Sequence, residues 1–186
     1  DRERSGKFSP SLLGSCFRRQ YWNRKNIEIS NPPDIRTLRK FRAGNLFEKF
    51  AVDLVIKQNP DLQLQVKIED SDFLGYADIV NGDEVIDVKS IHSKGFWYME
   101  KTEDIRKDKY NNFMQVLWYA WKLGKKYGKL CFISKDDLTI AEYREELDDY
   151  WLNELDMETT KLQYFWSEKT LPKAEPRLYN GKECTY

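Results

Sequence analysis

The chain has 186 residues, 40% of them hydrophobic and 15% aromatic, with 31 basic and 31 acidic side chains and zero formal net charge. One globular domain over residues 1–186 with a sizeable core fits that length. No apolar run approaches a membrane span, no signal peptide is visible, and the charge balance excludes a chain-wide electrostatic coat for nucleic acid. The three cysteines are widely spaced, which argues against a disulfide-dense secreted scaffold and fits a reducing cytoplasm.

Ser9-Pro10-Ser11 predicts a helix start, with Ser9 as N-cap and Pro10 at the first helical position, running to about Trp22. Asn31-Pro32-Pro33-Asp34 marks a turn. Phe41 to Gln58 has helical period, with Phe47, Phe50, Ala51 and Leu54 on one stripe. Glu48 shares its own side of that helix with Gly44, Ala51, Val52 and Val55, where a carboxylate needs a partner. Leu62 to Glu69 alternates as a strand, with Leu62, Leu64, Val66 and Ile68 facing one way.

Asn81-Gly82 between alternating apolar runs predicts a β-hairpin. With those two residues as the turn, Val80 pairs with Asp83, Asp78 with Val85 and Tyr76 with Asp87. One face then carries Ala77, Ile79, Ile86 and Val88, and the other Asp78, Asp87 and Lys89. The two aspartates become diagonal neighbours roughly 7–8 Å apart at Cα. Such a pair resists joint ionisation without a cation between them, and hard oxygen ligands suit Mg²⁺ or Mn²⁺. Lys89 adds a positive charge beside a phosphate or an attacking water.

Beyond Lys89, residues Ile91 to Glu103 read as a loop holding His92, Phe96, Trp97 and Tyr98. These aromatics suit either packing or the stacking of bases. Asp104 to Tyr127 is the longest helix candidate, with Phe113, Val116, Leu117, Ala120 and Trp121 as its core stripe and Gln115 and Tyr119 one turn apart beside it. Leu130 to Ser134 and Thr139 to Glu145 read as strands and Leu147 to Ser167 as a closing helix, followed by a loop-like tail from Leu171. Three basic clusters are candidates for phosphate contacts: Arg18, Arg19, Arg24 and Lys25; Arg36, Arg39, Lys40 and Arg42; and Lys94, Lys101, Arg106, Lys107 and Lys109. Each also suits a solvated helix face.

Several of these elements together resemble the PD-(D/E)XK nuclease superfamily, in its RecB-like exonuclease branch. Asp87-Val88-Lys89 resembles the D-x-K tripeptide, Gly75-Tyr76-Ala77-Asp78 the G-x-x-D element, Gly44 to Glu48 the helical G-x-x-x-(H/E) element, and Gln115 to Tyr119 the Q-x-x-x-Y element, all in the family's order over residues 9–145. Glu48 stands where a histidine is frequent in that branch, an arrangement closer to lambda-type exonucleases. The resemblance implies a restriction-endonuclease-like αβββαβ core, with a mixed central sheet flanked by helices. It implies a Mg²⁺- or Mn²⁺-dependent deoxyribonuclease acting on single strands or DNA ends. Glu48, Asp78, Asp87 and the Val88 carbonyl would hold the metal, Lys89 would assist, and Gln115 and Tyr119 would support the site. A catalytically silent nucleic-acid-binding subunit, an RNA-directed enzyme and a CRISPR-adaptation nuclease are the alternatives. Helicase, recombination or CRISPR-adaptation partners are implied, in the cytoplasm, including a host's if the protein is virus-encoded. The opening from Ser9 to Tyr21 is similar to RecB-like nucleases that carry a [4Fe–4S] cluster. Cys16 and Cys184 would then be two of four ligands in a longer chain. Cys131 reads as core.

Overall fold

The computed structural model describes residues 5–59, 61–175 and 177. Its helices are α1 (Phe17–Arg24), α2 (Ile35–Gln58), α3 (Ser93–Glu100), α4 (Ile105–Asp108), α5 (Tyr110–Lys122) and α6 (Asp149–Ser167). Its strands are β1 (Gln63–Glu69), β2 (Leu74–Asn81), β3 (Glu84–Ile91), β4 (Tyr127–Ser134) and β5 (Ile140–Glu146). They form one sheet in chain order. Every neighbouring pair is antiparallel except β3 and β4. A parallel pair needs a crossover, and the segment α3–α4–α5 supplies it. The order α2, β1, β2, β3, α5, β4 is the expected αβββαβ core, extended by β5 and α6.

The sheet separates two apolar clusters. On one side α2 packs Ala51 against Ile79, Ile86, Val88, Cys131 and Ile133. On the other, α5 lies between the sheet and α6, and residues Phe113 through Ala120 are all buried. A helix apolar on all sides is what burial between two layers requires.

Several sequence expectations need correction. The N-terminal segment is not one helix: a short 3₁₀ turn at Pro10–Leu12 precedes α1. Gly14 divides them at φ +79°, and its N–H donates to Glu158 of α6. The Ser9 hydroxyl pairs with that of Ser11 rather than capping. Helix α2 starts earlier than expected because Asp34 caps it, accepting the Thr37 N–H at 2.7 Å. Its Phe50 and Leu54 are exposed, because the face turned to the sheet is the one bearing Gly44, Glu48 and Ala51. The Gly44 position lies against the Ser90 hydroxyl, so the small residue lets α2 approach β3.

The expected loop after β3 contains α3, capped by His92, whose Nδ1 accepts the Gly95 N–H. The single long helix from Asp104 is broken at Lys109 into α4 and α5, and the chain has already entered β4 at Tyr127. The longest helix is therefore α2 among the described residues.

The hairpin register also differs. Asn81 pairs with Glu84, so Gly82 and Asp83 form the turn. Of its two central residues only Gly82 has positive φ, at +52°, the glycine-first arrangement that a type II′ turn favours. Ile79 pairs with Ile86, and the ladder ends there. A second irregularity lies in β1, where Gln65 has φ +48°. Leu62 and Leu64 pack on the α2 side, whereas Val66 and Ile68 belong to the α5 side. On β2 the same switch separates Ile79 from Ala77. The expected single-faced stripes therefore break at Gln65 and Asp78, where β1–β2 pairing skips a step.

Candidate active site

The site begins where the β2–β3 ladder stops. Continued by one residue, the observed register would set Asp78 opposite Asp87. Instead the Asp78 carboxylate turns into the gap and accepts the Val88 amide on Oδ2 at 3.0 Å. Backbone groups leave a strand edge at alternate residues, so the Ser90 amide follows that of Val88. It faces the Glu48 carboxylate of α2 and favours its charged form. Of the two amides that a longer ladder would have paired, that of Val88 anchors the Asp78 carboxylate and that of Ser90 acts on Glu48. This satisfies the backbone and fixes the acids in place.

Asp87 feels the charge of both and is 2% exposed. Its Oδ1 accepts from Lys89 Nζ at 2.9 Å and from Gln115 Nε2 of α5 at 3.1 Å. Lys89 Nζ also lies 2.9 Å from Oδ2, but Oδ2 is left buried without a hydrogen bond. Burial pushes the Asp87 carboxyl up to about 7; Lys89 opposes this and the charges of Asp78 and Glu48 add to it. Burial likewise raises Glu48, opposed by Lys89 and reinforced by Asp78, with Lys135 a smaller stabiliser of its charge. Burial works against the Lys89 ammonium, but the three carboxylates outweigh it and hold its proton well above the ordinary range. Three acids and one amine therefore act on one another, and Glu48 and Asp87 are short of positive charge.

Tyr119 lies one turn beyond Gln115 and is buried, with Gln115 and the Tyr76 backbone acting on its hydroxyl. Burial and the Asp87 charge raise its phenol. Gly75 makes room for it: a Cβ there would stand 2.6 Å from the Tyr119 hydroxyl and 2.9 Å from Pro10. The glycine of G-x-x-D thus serves a close approach, a role its spacing did not reveal. Beside Asp78 opens a cleft of about 320 Å³, lined by Lys7, Ser9, Ser11, Asn23, Gln65, Tyr76 and Tyr119 among others.

The structure thus brings Glu48, Asp78, Val88, Asp87, Lys89, Gln115 and Tyr119 together. Sequence reasoning missed Gln65, whose Nε2 donates to Asp78 Oδ1 at 3.1 Å. Nothing in an alternating strand marks a glutamine for the left-handed region. It missed Lys135 as well, which acts on Glu48 from the end of β4. His92 serves as a helix cap. Of the basic clusters, the first is partly structural: Arg24 is buried, paired with Asp72 at 2.8 Å and placed over the Phe8 and Trp166 rings, and Arg18 donates to the Pro172 carbonyl. Arg36, Arg39, Lys40 and Arg42 are exposed on the first turns of α2. Arg106 pairs with Glu145. Cys16 is buried at the start of α1, Cys131 is in the core, and Cys184 lies outside the described residues.

Among the described residues no three His, Cys, Asp or Glu side chains are close enough to enclose an ion by themselves. A hard cation that keeps part of its water needs only one or two carboxylates. The Asp87 Oδ2, which lacks a hydrogen bond, and the raised carboxyls of Asp87 and Glu48 are what such a cation would relieve. The donor set, all oxygen, fits Mg²⁺ or Mn²⁺.

This five-stranded mixed sheet with flanking helices is a restriction-endonuclease-like nuclease fold. No protein-family model matches the chain, and no curated protein does. Solved structures do. An alkaline exonuclease (LHK-Exo) from Laribacter hongkongensis superposes with a TM-score of 0.67 at 16% identity, over 90% of this chain and 91% of that one. The same exonuclease in complex with dAMP gives 0.63. A phage related exonuclease from Haemophilus somnus 129PT gives 0.57 at 14% identity, over 82% and 80% of the two chains. At these identities the fold is what is shared. Among the described residues no helix is long and apolar enough to cross a membrane.

Proposed function

We propose that the chain is a divalent-metal-dependent deoxyribonuclease of the RecB-like kind, acting as an exonuclease on single strands or DNA ends. One observation carries the reading: the charges of Asp87, Asp78 and Glu48 all act on Lys89 at the split between β2 and β3, where the buried Asp87 Oδ2 has the Lys89 ammonium at 2.9 Å but no hydrogen bond. The exonucleases of the same fold support it, one of them bound to a nucleotide.

Glu48, Asp78, Asp87 and the Val88 carbonyl would hold Mg²⁺ or Mn²⁺. Bound there, the ion supplies Lewis-acid polarisation of the phosphate and a water of lowered pKa. The protein does the rest. Lys89 keeps its proton and offers a fixed charge to the negative charge that develops on phosphate oxygens. Gln115 holds Asp87 in one orientation, and Tyr119 packs beneath Gly75 to set the floor of the cleft. That cleft would receive the end of a strand, and the exposed Arg36, Arg39, Lys40 and Arg42 would neutralise phosphates elsewhere along it. Among the described residues no element for reading base edges is evident, and the reading therefore takes ends over sequence-specific cutting. A four-cysteine iron–sulfur cluster using Cys16 and Cys184 remains a proposal, tested by iron analysis and visible absorption of the whole protein.

The test is cleavage of labelled single strands, linear duplex, circular plasmid and RNA, with Mg²⁺, Mn²⁺ or EDTA, by the wild type, Asp87→Ala and Lys89→Ala. The reading expects metal-dependent cleavage of linear DNA by the wild type alone. Equal background in all three would instead make the chain a silent binding subunit, and preference for RNA would redirect the substrate.

A further inference from the structure

Helix α3 divides its side chains unusually for a short surface helix. Phe96 and Met99 are buried in the α5-side core, which settles which face packs inward. Trp97 and Tyr98 point the other way, 48% and 57% exposed, with ring centroids 5.0 Å apart at 75°. Lys101 Nζ lies 4.2 Å from the centre of the Trp97 ring, and Lys94 Nζ lies 5.8 Å from that of Tyr98. The one acid of the helix, Glu100, bears instead on Tyr143 of β5. Exposing a Trp and a Tyr side by side forgoes burial that the neighbouring positions take.

The helix is also fixed at the corner of the acid cluster. It follows β3 directly after Lys89, Ser90 and Ile91. Its Ser93 N–H donates to Asp136, and the Ile91 carbonyl accepts the Lys135 N–H. Lys135 is the residue whose charge acts on Glu48. A polymer lying over Glu48 and Lys89 and passing this corner meets α3 next.

We propose that Trp97 and Tyr98, with Lys94 and Lys101, form a stacking platform for single-stranded DNA leading to or from the Asp87–Lys89 site. Every base offers a π-face and every linkage a negative charge, so adjacent exposed rings interleaved with ammonium groups take a strand without reading its sequence. Folded protein partners would find complementary apolar rings, but no use for the paired cations on a surface this small. This inference rests on the nuclease reading for the direction of the strand and not for the binding itself.

The experiment measures fluorescein-labelled oligo(dT) affinity in EDTA, where nothing is cut, for the wild type, Trp97→Ala/Tyr98→Ala and Lys94→Ala/Lys101→Ala. In parallel, oligomers bearing 5-iodouracil are photocrosslinked and the adducts mapped by mass spectrometry. Stacking is worth roughly 5- to 150-fold in affinity per base, so the aromatic pair should lose at least about tenfold, and the lysine pair should bind more weakly with a shallower salt dependence. Adducts should fall on Trp97 or Tyr98. Both aromatics are exposed, so the variants should keep the wild-type thermal melt. Unchanged affinity in the aromatic variant, adducts only elsewhere, or no oligonucleotide binding by the wild type overturns the platform. Intact binding through α3 without metal-dependent cleavage by the wild type overturns the nuclease reading and leaves the platform standing.

Discussion

Gln65 shows how a single side chain sets the geometry of the site. It is one of four non-glycine residues with positive φ among the described residues, a conformation that costs a non-glycine residue roughly 1–3 kcal/mol. Its amide reaches Asp78 Oδ1 while the Val88 amide holds Oδ2, so both oxygens of one carboxylate are aimed. Asparagine tolerates the left-handed region better than glutamine does but is a methylene too short for this reach. Gln65→Asn should therefore keep or raise thermal stability while weakening Mn²⁺ binding by about 10- to 100-fold, the usual effect of losing an outer partner of a metal ligand. Calorimetric titration and thermal melting together check this. Gly75→Ala makes the opposite kind of case. The added methyl would meet Tyr119 and Pro10 inside van der Waals distance, and overpacking of this kind costs about 1–3 kcal/mol, measurable by urea unfolding. The acids and Lys89 were legible in the sequence because D-x-K and G-x-x-D are short local patterns. Gln65, Lys135 and the purpose of Gly75 were not, because each depends on what approaches from a distant part of the chain.

At the scale of elements, the hairpin was visible and its register was not. Asn81-Gly82 and Gly82-Asp83 are both acceptable turn pairs, and the two choices keep the same side chains on the same face. What decides is tertiary: the Asp83 carbonyl accepts the amides of both Lys126 and Tyr127 at the entry to β4. The early end of the β2–β3 ladder, which frees the Val88 and Ser90 amides, leaves no trace in hydrophobic alternation. The N-terminal break is similar. Gly14 turns the chain so that its N–H, together with Gln20 Nε2 and Arg177, meets the buried carboxylate of Glu158. Removing that carboxylate takes an acceptor from three donors, of which Gln20 and Arg177 keep the Ser15 carbonyl. Glu158→Ala should cost about 3–5 kcal/mol, as loss of one member of a buried ion pair does. Amide exchange should rise first in residues 10–24, which α6 holds in place.

For the molecule as a whole, zero net charge at neutral pH conceals an uneven distribution. Glu48 and Asp87 of the site are raised, whereas a cluster at the far end of the β1–β2 hairpin is lowered. Glu69 is pulled down to about 2 by Lys67 and Lys7. Burial opposes the charge of Asp72, but Arg24, Ser71 and Gln163 outweigh it and lower its carboxyl. Groups with depressed folded values stabilise above their unfolded values, and this stabilisation is lost as pH falls through the folded ones. Thermal melts of the metal-free protein should therefore fall progressively from about pH 4.5 towards pH 2, with no comparable loss from this cluster between pH 5 and 7. Arg24→Leu, which also leaves Asp72 without its guanidinium, should lower the melt at pH 7 more than at pH 2.5.

The proposal to be tested is that Asp78 and Asp87, with Glu48 acting beside them, serve one partly hydrated cation. Its most direct measurement is calorimetric titration of Mn²⁺ into the wild type, Asp78→Asn and Asp87→Asn, each verified as folded by its near-UV circular dichroism. Saturable binding by the wild type is expected, with both substitutions losing more affinity than the about 10- to 100-fold expected of an outer partner. Wild-type protein that takes up no Mn²⁺, or variants that bind it as well as the wild type, would contradict the claim.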